Sequence, residues 1–380
     1  MKNILFIHQS AELYGSDKTL LLFLKGIDRT KFFPIVVLPN EGPLKSELEK
    51  IGIQVIITPV LKLYRDIFTL KNSIIFVKEI FISISILNKL HKKHKFDLVY
   101  SNTLAVLLGS LFSKRNKIKH IWHVHEIIEH PKPIAWLFPK LLYYFSNQII
   151  CNSEATKRNI VNREKRNFTK AVVVHNGIQK NIISQNILNK SDFGYTENDI
   201  VITLIGRISR LKGHKWILET YNEFFKNSRN IKILFVGSPV PNQEYYLHDI
   251  EDYIKANNLI NQVKIIPFTL NLDSVWNVTD IALMPSTEKE SFGLVAAEAM
   301  MASKPVIASN DGGLMEIVVN NNTGFLVEPK NKQALKIAIE KLIQNPELRK
   351  TFGNNGAQRI AENFSLEKYI QKIEGVLEKI

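Results

Sequence analysis

Short apolar runs alternate with longer amphipathic segments along the whole chain. The first series of predicted strands is 3–8, 34–39, 54–60, 98–102, 120–125, 148–153 and 171–177. The second series is 200–206, 231–237, 263–268, 281–286, 305–309 and 324–327. Strands that alternate with helices at this spacing predict parallel sheets covered by helices. Continuous apolar runs, in place of alternating ones, indicate strands that are buried on both faces.

A polar, asparagine-rich segment without a long apolar period separates the two series. A length of 380 residues also favours two domains. We therefore predict an α/β fold with a Rossmann-like doubly wound domain over 1–180, a linker over 181–198 and a second such domain over 199–362. Because ligands of such sheets bind outside the carboxyl ends of the strands, the two domains are expected to face each other across one cleft.

Composition excludes several classes of protein. The single cysteine, Cys151, excludes an internal disulfide framework and a multi-cysteine zinc site, which fits a reducing cytosol. The N-terminal run MKNILFIHQS is typical of a first strand and too short for a secretion signal. The longest apolar region, 73–87, is interrupted by Lys78 and Glu79 and falls short of a membrane span. A soluble or peripheral cytoplasmic protein is expected.

The positive charge lies in the first half of the chain. Residues 1–178 contain 27 Lys and Arg against 13 Asp and Glu, a net charge of +14. Residues 179–380 contain 23 of each. This asymmetry favours an anionic partner for the first half, such as anionic lipid, nucleic acid or a phosphorylated substrate. A general lysine bias of the sequence remains the alternative.

The loop GRISRLKG follows a predicted strand. Gly206 lets the chain turn, and Arg207 and Lys212 place two cations just past the carboxyl end of that strand. A planar guanidinium and a compact ammonium suit a diphosphate. Two solvated surface cations would be the structural alternative.

The loop after the first strand is a second candidate for phosphate binding. Gly15 and Ser16 precede a helix whose first turn contains Asp17, so backbone N–H groups could approach an anion. The loop matches neither a dinucleotide-binding nor a Walker motif. Taken alone, a Gly-Ser turn before a helix indicates no more than a helix cap.

The strand HIWHVHE places His123 and His125 on one side, with Glu126 after them. Histidines at this spacing bind metals or substrate hydroxyls, or are buried core residues. No third ligand follows at suitable spacing, so no metal site is predicted.

Two carboxylates flank the start of a predicted helix in EKESFGLVAAE. Glu290 lies in the loop that leaves a buried strand, and Glu298 lies further on in the helix. The backbone N–H groups over 291–294, at the start of the helix, point to the same place. Acceptor carboxylates beside backbone donors are suited to a polyol, such as a sugar or a ribose.

At this point EKESFGLVAAE resembles the E-x7-E motif of the family-four retaining glycosyltransferases, which have the GT-B fold. GRISRLKG is similar to that family's Arg/Lys diphosphate loop, HVHE to its histidine strand, HNGI to the turn before its linker and AELYGSDKTLL to its N-terminal glycine loop. The matches follow the family's order over nearly the whole chain. One departure is Tyr14-Gly15-Ser16, which replaces a Gly-Gly pair.

The resemblance implies a glycosyltransferase that uses a nucleoside-diphosphate sugar and needs neither a cofactor nor a metal. It implies that Arg207 and Lys212 hold the diphosphate, that Glu298 binds the ribose, and that His125 contacts the sugar near its anomeric carbon. His125, Glu290, Arg207 and Lys212 are the expected catalytic residues. The full set of expected donor-binding residues is Gly15, Ser16, Gly206, Arg207, Lys212, Phe268, Glu290, Ser291, Phe292, Gly293, Leu294 and Glu298, with the base read by the backbone over 267–270.

The resemblance also implies retention of the anomeric configuration. Because no residue is an obvious nucleophile for a double displacement, a front-face substitution is the default hypothesis. The N-terminal domain would bind the acceptor, with the C-terminal helix over 363–380 crossing back to it. The residues assigned to the acceptor side are Tyr14, Asn102, His123 and Glu126.

A lipid-linked or polysaccharide acceptor is expected, as in bacterial enzymes of surface polysaccharides (capsule or O-antigen). Segments 68–95 and 130–145 mix cations with aromatic and aliphatic residues. Such surfaces favour anionic headgroups, which predicts peripheral association with the inner face of the cell membrane.

Two alternatives remain open. A sugar-nucleotide epimerase shares the two-domain architecture but is not expected to carry this pair of glutamates together with GRISRLKG. A basic nucleic-acid-binding protein is disfavoured by the neutral second half and by the absence of a recognisable binding motif.

Overall fold

The computed structural model describes residues 1–61, 70–179, 187–240, 242–269 and 271–380, and it describes side chains from residue 75 onward within the segment 70–94. Three predictions fall partly outside these residues: linker positions 181–186, the start of the basic segment 68–95, and Leu270 in the base-reading loop. Over the described residues the chain divides into two compact units. Unit 1 comprises Met1–Gly177 and Leu366–Ile380, and unit 2 comprises Ile178–Ser365.

Unit 1 contains a parallel seven-stranded sheet of order β3-β2-β1-β4-β5-β6-β7. Its strands are β1 (Lys2–His8), β2 (Phe32–Leu38), β3 (Gln54–Ile57), β4 (Leu98–Asn102), β5 (Lys119–Val124), β6 (Gln148–Cys151) and β7 (Ala171–Val173). Its helices are α1 (Gly15–Gly26), α2 (Pro43–Lys50), α3 (Leu70–His94), α4 (Leu108–Asn116), α5 (Lys132–Phe145), α6 (Glu154–Arg163) and, from the C-terminal segment, α14 (Leu366–Lys379).

Neighbouring residues of β1 enter different cores, as expected for a strand with two buried faces. Ile4 and Phe6 pack with α1, α2 and α14, whereas Leu5 and Ile7 pack with α3 and α4. Helix α14 buries Tyr369, Ile373 and Leu377 in the first of these cores, so the C-terminal segment is part of unit 1.

Unit 2 contains a parallel six-stranded sheet of order β10-β9-β8-β11-β12-β13. Its strands are β8 (Ile200–Ile205), β9 (Ile231–Val236), β10 (Val263–Ile266), β11 (Ile281–Met284), β12 (Val306–Ser309) and β13 (Gly324–Val327). Its helices are α7 (His214–Phe224), α8 (Tyr245–Ala256), α9 (Leu272–Val278), α10 (Leu294–Met301), α11 (Leu314–Ile317), α12 (Lys332–Gln344) and α13 (Pro346–Asn363).

The sheet of unit 2 is also covered on both faces. Helices α7, α8 and α12 pack on the face that contains Ile202 and Leu204. Helices α9, α10 and α13 pack on the face that contains Val201 and Ile205. Both units are therefore doubly wound, and every strand named from the apolar pattern has a counterpart in one of the two sheets.

Each sheet has a point where its strand order reverses. In unit 1 the reversal lies between β1 and β4, and in unit 2 it lies between β8 and β11. Chain connections leave such a point in opposite directions, which opens a crevice outside the carboxyl ends of the two strands. The residues that follow β1, β4, β8 and β11 are therefore the first to consider as functional.

Candidate functional site

A charged pair joins the loops that follow β8 and β11 in unit 2. The Lys212 ammonium donates to Glu290 Oε1 at 2.5 Å. The Ser286 hydroxyl donates to the same oxygen at 2.6 Å. Two residues predicted from separate motifs are thus in direct contact at the carboxyl ends of the central strands, and Ser286 joins them.

Backbone bonds hold these two loops together. The Thr287 amide donates to the carbonyl of Leu211 at 2.8 Å, and its hydroxyl donates to the carbonyl of Arg210 at 3.0 Å. The side chains of Arg210 and Glu288 form a second ion pair between the loops. Lys212 and Glu290 are therefore fixed to each other by backbone as well as by charge.

Two glycines permit this close approach. Gly213 has φ +75°, and a Cβ there would lie 1.9 Å from the carbonyl oxygen of Pro285. Gly312 has φ +63°, and a Cβ there would lie 2.3 Å from the carbonyl oxygen of Glu290. Any side chain at either position would have to displace backbone. The positions of Lys212 and Glu290 thus depend on Gly213, which ends the motif GRISRLKG, and on Gly312, which lies outside both motifs.

The electrostatics of the pair favour an ionised glutamate. Burial alone would raise the pKa of Glu290, but the charge of Lys212 and the hydrogen bonds from Lys212 and Ser286 outweigh it. The net result is a pKa below the usual value for glutamate. Glu290 therefore carries a negative charge at neutral pH and holds the ammonium of Lys212 in a fixed position.

The N-terminus of α10 follows Glu290 closely. Gly293 is the N-cap residue with φ +104°, and Leu294 is the first residue of the helix. Phe292 is buried and packs edge-on against Phe364, and this contact anchors the turn that precedes α10. Ser291 is partly exposed. The first N–H groups of α10 have no partner within the helix and are available to an anion or a hydroxyl.

Glu298 lies further along α10. It lines a cavity of about 220 Å³ together with Asp273, Trp276, Met301 and Lys304. None of the other expected donor-binding residues lines this cavity. The structure therefore brings Glu290 together with Lys212, and it places Glu298 beside α9.

The remaining expected donor residues of unit 2 lie on loops at the carboxyl ends of strands. Gly206 follows β8, and the stem of Lys212 passes about 3.5 Å from the position of a Cβ at Gly206. Arg207 is exposed to solvent. Phe268 lies after β10, where its amide donates to the Ser238 hydroxyl at 3.1 Å.

A buried polar chain occupies the carboxyl ends of β1, β4 and β5 in unit 1. His8 Nε2 lies 2.5 Å from Asp17 Oδ1, and His8 Nδ1 lies 2.9 Å from the Asn102 amide nitrogen. Asn102 Oδ1 lies 2.9 Å from His125 Nε2. We call Asp17, His8, Asn102 and His125 the histidine relay. All four side chains are buried.

The other residues of the histidine strand have structural partners. His123 Nδ1 lies 2.7 Å from the Tyr100 hydroxyl, and burial lowers the pKa of His123 to about 3. Burial, with smaller repulsion from His123 and His8, lowers the pKa of His125 well below its usual value. Because both pKa values are lowered, His123 and His125 are neutral at physiological pH. Glu126 Oε2 accepts hydrogen bonds from the backbone amides of Leu104 and His125, each at 3.0 Å.

The N-terminal loop forms the start of α1. Tyr14 is the N-cap residue, and its amide donates to Asp17 Oδ2 at 3.0 Å. Gly15 and Ser16 are the first two residues of the helix. Asp17 therefore caps α1 and binds His8 at the same time, which gives the loop a structural role beyond the one predicted.

Four features of the site were missed by the sequence analysis: the roles of His8 and Asp17, the hydroxyl of Ser286 and the glycine pair at 312–313. Each has a sequence signal, because His8 ends the first strand, Asp17 lies in the first turn of the helix that follows it, Ser286 ends the apolar run IALMPS, and Gly312-Gly313 lie in the loop after β12. The rule that ligands bind at strand ends could have drawn attention to them.

Comparison with known families decides the class of protein. Residues 15–181 match the family described as Glycosyltransferase Family 4, and residues 187–359 match the family described as Glycosyl transferases group 1. This chain belongs to the glycosyltransferases. The two matches follow each other along the chain and leave out only its ends and a short segment between them.

Relatives of this glycosyltransferase include a bacterial and a eukaryotic enzyme. It is 30% identical over 249 residues to the capsular polysaccharide biosynthesis glycosyltransferase CapM of Staphylococcus aureus, covering 64% of each chain. It is 29% identical over 261 residues to the alpha-1,3/1,6-mannosyltransferase ALG2 of Dictyostelium discoideum, covering 64% of this chain and 59% of that one. The matched segment thus spans less than two thirds of either relative.

Solved structures confirm the fold class. HepE of Anabaena, crystallised with UDP and glucose, superposes over 100% of both chains with a TM-score of 0.85 and 23% identity. The predicted α/β architecture with two Rossmann-like domains is therefore correct, and it is the GT-B type found in the structural neighbours.

Two further observations concern the described residues alone. Over those residues, no helix combines the length and the apolar character needed to cross a bilayer. Within the same part of the chain, no group of three or more His, Cys, Asp and Glu side chains is arranged to hold a metal ion.

Proposed function

We propose that this glycosyltransferase moves a sugar from a nucleoside-diphosphate sugar to a hydroxyl group of a saccharide or lipid-linked acceptor. The observation that carries the proposal is the Lys212–Glu290 pair, which lies at the carboxyl ends of β8 and β11 and just ahead of the N-terminus of α10. A fixed ammonium beside unpaired helix N–H groups suits a diphosphate. The crystal structures of HepE with UDP and glucose agree with a donor of this class.

Unit 2 would bind the donor in this proposal. Lys212 and Arg207 bind the diphosphate and stabilise the negative charge that grows on it as it leaves. Glu290 orients Lys212 and accepts hydrogen bonds from the hydroxyls of the sugar. Glu298 binds the ribose, and the loop at Phe268 contacts the base.

The proposed reaction forms one bond and breaks another on the same face of the sugar. The acceptor oxygen bonds to the anomeric carbon, while the bond from that carbon to the diphosphate oxygen breaks and its electron pair stays with the diphosphate. The acceptor proton passes to the leaving phosphate oxygen. The anomeric configuration is retained, and no metal is required, because cations and helix N–H groups of the protein stabilise the leaving group.

Azide distinguishes this course from a double displacement. If Glu290 formed a covalent bond to the sugar, azide would take its place in the Glu290→Gln variant and yield a glycosyl azide whose configuration is inverted relative to the donor. The proposal predicts no azide product from that variant, measured by mass spectrometry. Formation of an azido sugar would contradict the front-face course and leave the transferase activity standing.

The acceptor is proposed to be lipid-linked or a growing polysaccharide at the inner face of the cell membrane. CapM acts in capsular polysaccharide biosynthesis, which supports this class of acceptor. Helix α3 exposes Val77, Phe81 and Ile82, and α5 exposes Trp136 and Tyr144. Phe81 is 73% exposed and Trp136 is 53% exposed, next to the lysines of both helices. Aromatic and basic side chains together favour the headgroup region of anionic membranes.

Vesicle sedimentation tests the membrane part separately. The wild-type protein should sediment with anionic vesicles and less with neutral ones, and Phe81→Ser with Trp136→Ser should reduce the bound fraction. The matched control is Phe168→Ser, another exposed aromatic side chain, which lies outside α3 and α5. Equal sedimentation with both kinds of vesicle would contradict membrane association.

A donor panel tests the central proposal. Thermal unfolding is measured with UDP-, GDP-, ADP- and dTDP-linked sugars, since a ligand raises stability in proportion to the logarithm of its concentration over Kd. Lys212→Met should weaken the effective donor by about 10-fold to 100-fold, because a charge-assisted hydrogen bond contributes about 1.5 to 3 kcal/mol. Lys332→Met is the matched control and should leave donor affinity unchanged. No observation favours a sugar-nucleotide epimerase or a nucleic-acid-binding protein.

A further inference from the structure

The histidine relay connects Asp17 to His125 through two intermediate side chains. The three contacts are 2.5 Å from Asp17 to His8, 2.9 Å from His8 to Asn102, and 2.9 Å from Asn102 to His125. The register of the sheet produces this alignment, because His8 on β1 pairs with Asn102 on β4. The relay is therefore a product of the strand order at the reversal point of unit 1.

Asp17 sets the direction of the first hydrogen bond. Its carboxylate accepts hydrogen bonds from the Ser10 hydroxyl at 2.6 Å and from the Tyr14 amide at 3.0 Å, in addition to the one from His8. Burial would raise the pKa of Asp17, but the hydrogen bonds from His8, Ser10 and Tyr14 help to lower it below its usual value. An ionised carboxylate can only accept, so His8 donates from Nε2.

The contacts of Asn102 set the remaining hydrogen bonds. Its amide nitrogen donates to the carbonyl of Ser16 at 3.5 Å and lies 2.9 Å from His8 Nδ1. Because an amide nitrogen can only donate, His8 Nδ1 accepts from it, although the Asn102 backbone carbonyl lies 3.2 Å from the same ring nitrogen. The Asn102 oxygen is thereby directed at His125 and accepts from His125 Nε2–H. Because His125 is neutral, one proton on Nε2 leaves a lone pair on Nδ1.

We propose that Asp17 and His8 are positioning residues that act through Asn102 to hold His125 in its Nε2–H tautomer, with Nδ1 as the acceptor for a substrate hydroxyl. The inference rests on the proposed function and on the contact between His125 and the transferred sugar that the family resemblance implies. It gives His125 the role of a hydrogen-bond acceptor toward that sugar. His8 at the end of β1 and Asp17 in the first turn of α1 then contribute to recognition of the sugar, and not to phosphate binding.

Selective labelling with 15N-histidine tests the proposal without requiring activity. Long-range 1H–15N spectra distinguish protonated from unprotonated ring nitrogens, and the His125→Asn spectrum assigns the His125 signals. The wild-type spectrum should show His125 as the Nε2–H tautomer. An Nδ1–H tautomer, or a mixture, in the wild-type protein would overturn the proposal.

The Asp17→Asn variant supplies the second part of the test. Its amide removes the charge that orients His8, so His125 should become a mixture of tautomers and kcat should fall by about 10-fold or more, as for other partners that orient a histidine. Donor KM should change by less than about 2-fold, because the donor contacts of unit 2 are intact. A change in tautomer without a change in kcat, or the reverse, would contradict the proposal.

Thr58→Val is the matched control. Thr58 is buried in unit 1 and bonds Ser83 at 3.2 Å, outside the relay. This variant should leave both the His125 spectrum and kcat unchanged, and an effect equal to that of Asp17→Asn would show that general loss of packing is the cause. If the wild-type protein transfers no sugar from any donor, the proposed function fails, whereas the spectra still decide whether the relay exists.

Discussion

Replacing Lys212 by Met isolates the charge that joins the two central loops of unit 2. The Met side chain keeps an apolar stem along Gly206, where the Lys212 stem lies, and removes the ammonium. Glu290 would keep the Ser286 hydroxyl as a donor and lose its cation. The expected consequences are lower stability, a higher pKa for Glu290 and weaker donor binding.

The size of the stability loss follows from exposure. The Lys212 side chain is 31% exposed and that of Glu290 is 22% exposed. Fully exposed pairs contribute about 0 to 1 kcal/mol, and breaking a fully buried pair costs about 3 to 5 kcal/mol. A pair between these limits that keeps one hydroxyl donor should have a coupling energy of about 1 to 2 kcal/mol.

A double-mutant cycle with Glu290→Gln measures this coupling from urea unfolding at pH 7. The pKa of Glu290 is lowered in the folded state, so the stabilisation is present above the pKa of the unfolded chain and is lost as pH falls through the folded value. The coupling should therefore decrease in acid. Lys332→Met is the control, because Lys332 contacts Glu219 at 3.4 Å and Glu223 at 3.2 Å at a more exposed position.

The control should cost less than about 0.5 kcal/mol, as exposed pairs do. A coupling between Lys212 and Glu290 no larger than the cost of Lys332→Met would refute the reasoning. So would a coupling that grows as the pH is lowered.

Two further predictions concern unit 2. Burial, with a smaller effect of Lys212, lowers the pKa of His214 to about 3, so below about pH 6.5 the unfolded chain binds a proton that the folded one does not. The free energy of unfolding, measured by urea titration, should therefore fall less steeply between pH 6 and pH 4 in His214→Phe than in the wild-type protein. The difference in slope should be about 1.4 kcal/mol per pH unit, and an unchanged slope would contradict this. Gly312→Ala should destabilise by about 2 to 4 kcal/mol, because its Cβ would meet the Glu290 carbonyl oxygen at 2.3 Å. Gly194→Ala, with φ +76° and no atom within 4 Å of its Cβ, should cost only about 1 kcal/mol by thermal unfolding; equal costs would show that backbone strain alone matters.

The fold could be predicted because its signal is repeated along the chain. The run ILFI in β1 is apolar at every position and VITLI in β8 at every position but Thr203, which is the pattern of strands buried on two faces. The ends of strands were less accurate. Residues 58–60, 174–177 and 285–286 continue apolar or small-residue runs past the ends of β3, β7 and β11, where the backbone leaves the sheet.

The candidate site could be predicted only where a motif marks it. Glu290 and Lys212 were both named, but their contact depends on Gly213 and Gly312, whose effect arises from backbone approach in three dimensions. The relay was missed for a similar reason. His8 and Asn102 are 94 residues apart and meet only because β1 and β4 are neighbours at the reversal of strand order. Helical periodicity and local spacing contain no information about such pairings.

Transfer of a labelled sugar is the most direct test of the central claim. The donor that stabilises the protein in the panel is supplied with radiolabel in its sugar, together with a lipid extract from the source cells as acceptor. The account predicts that the wild-type protein transfers label to the lipid or polysaccharide fraction and releases the nucleoside diphosphate in equal amount, and that Lys212→Met reduces this transfer while Lys332→Met does not. Binding of nucleotide sugars without transfer to any fraction, or transfer that is unaffected by Lys212→Met, would contradict it.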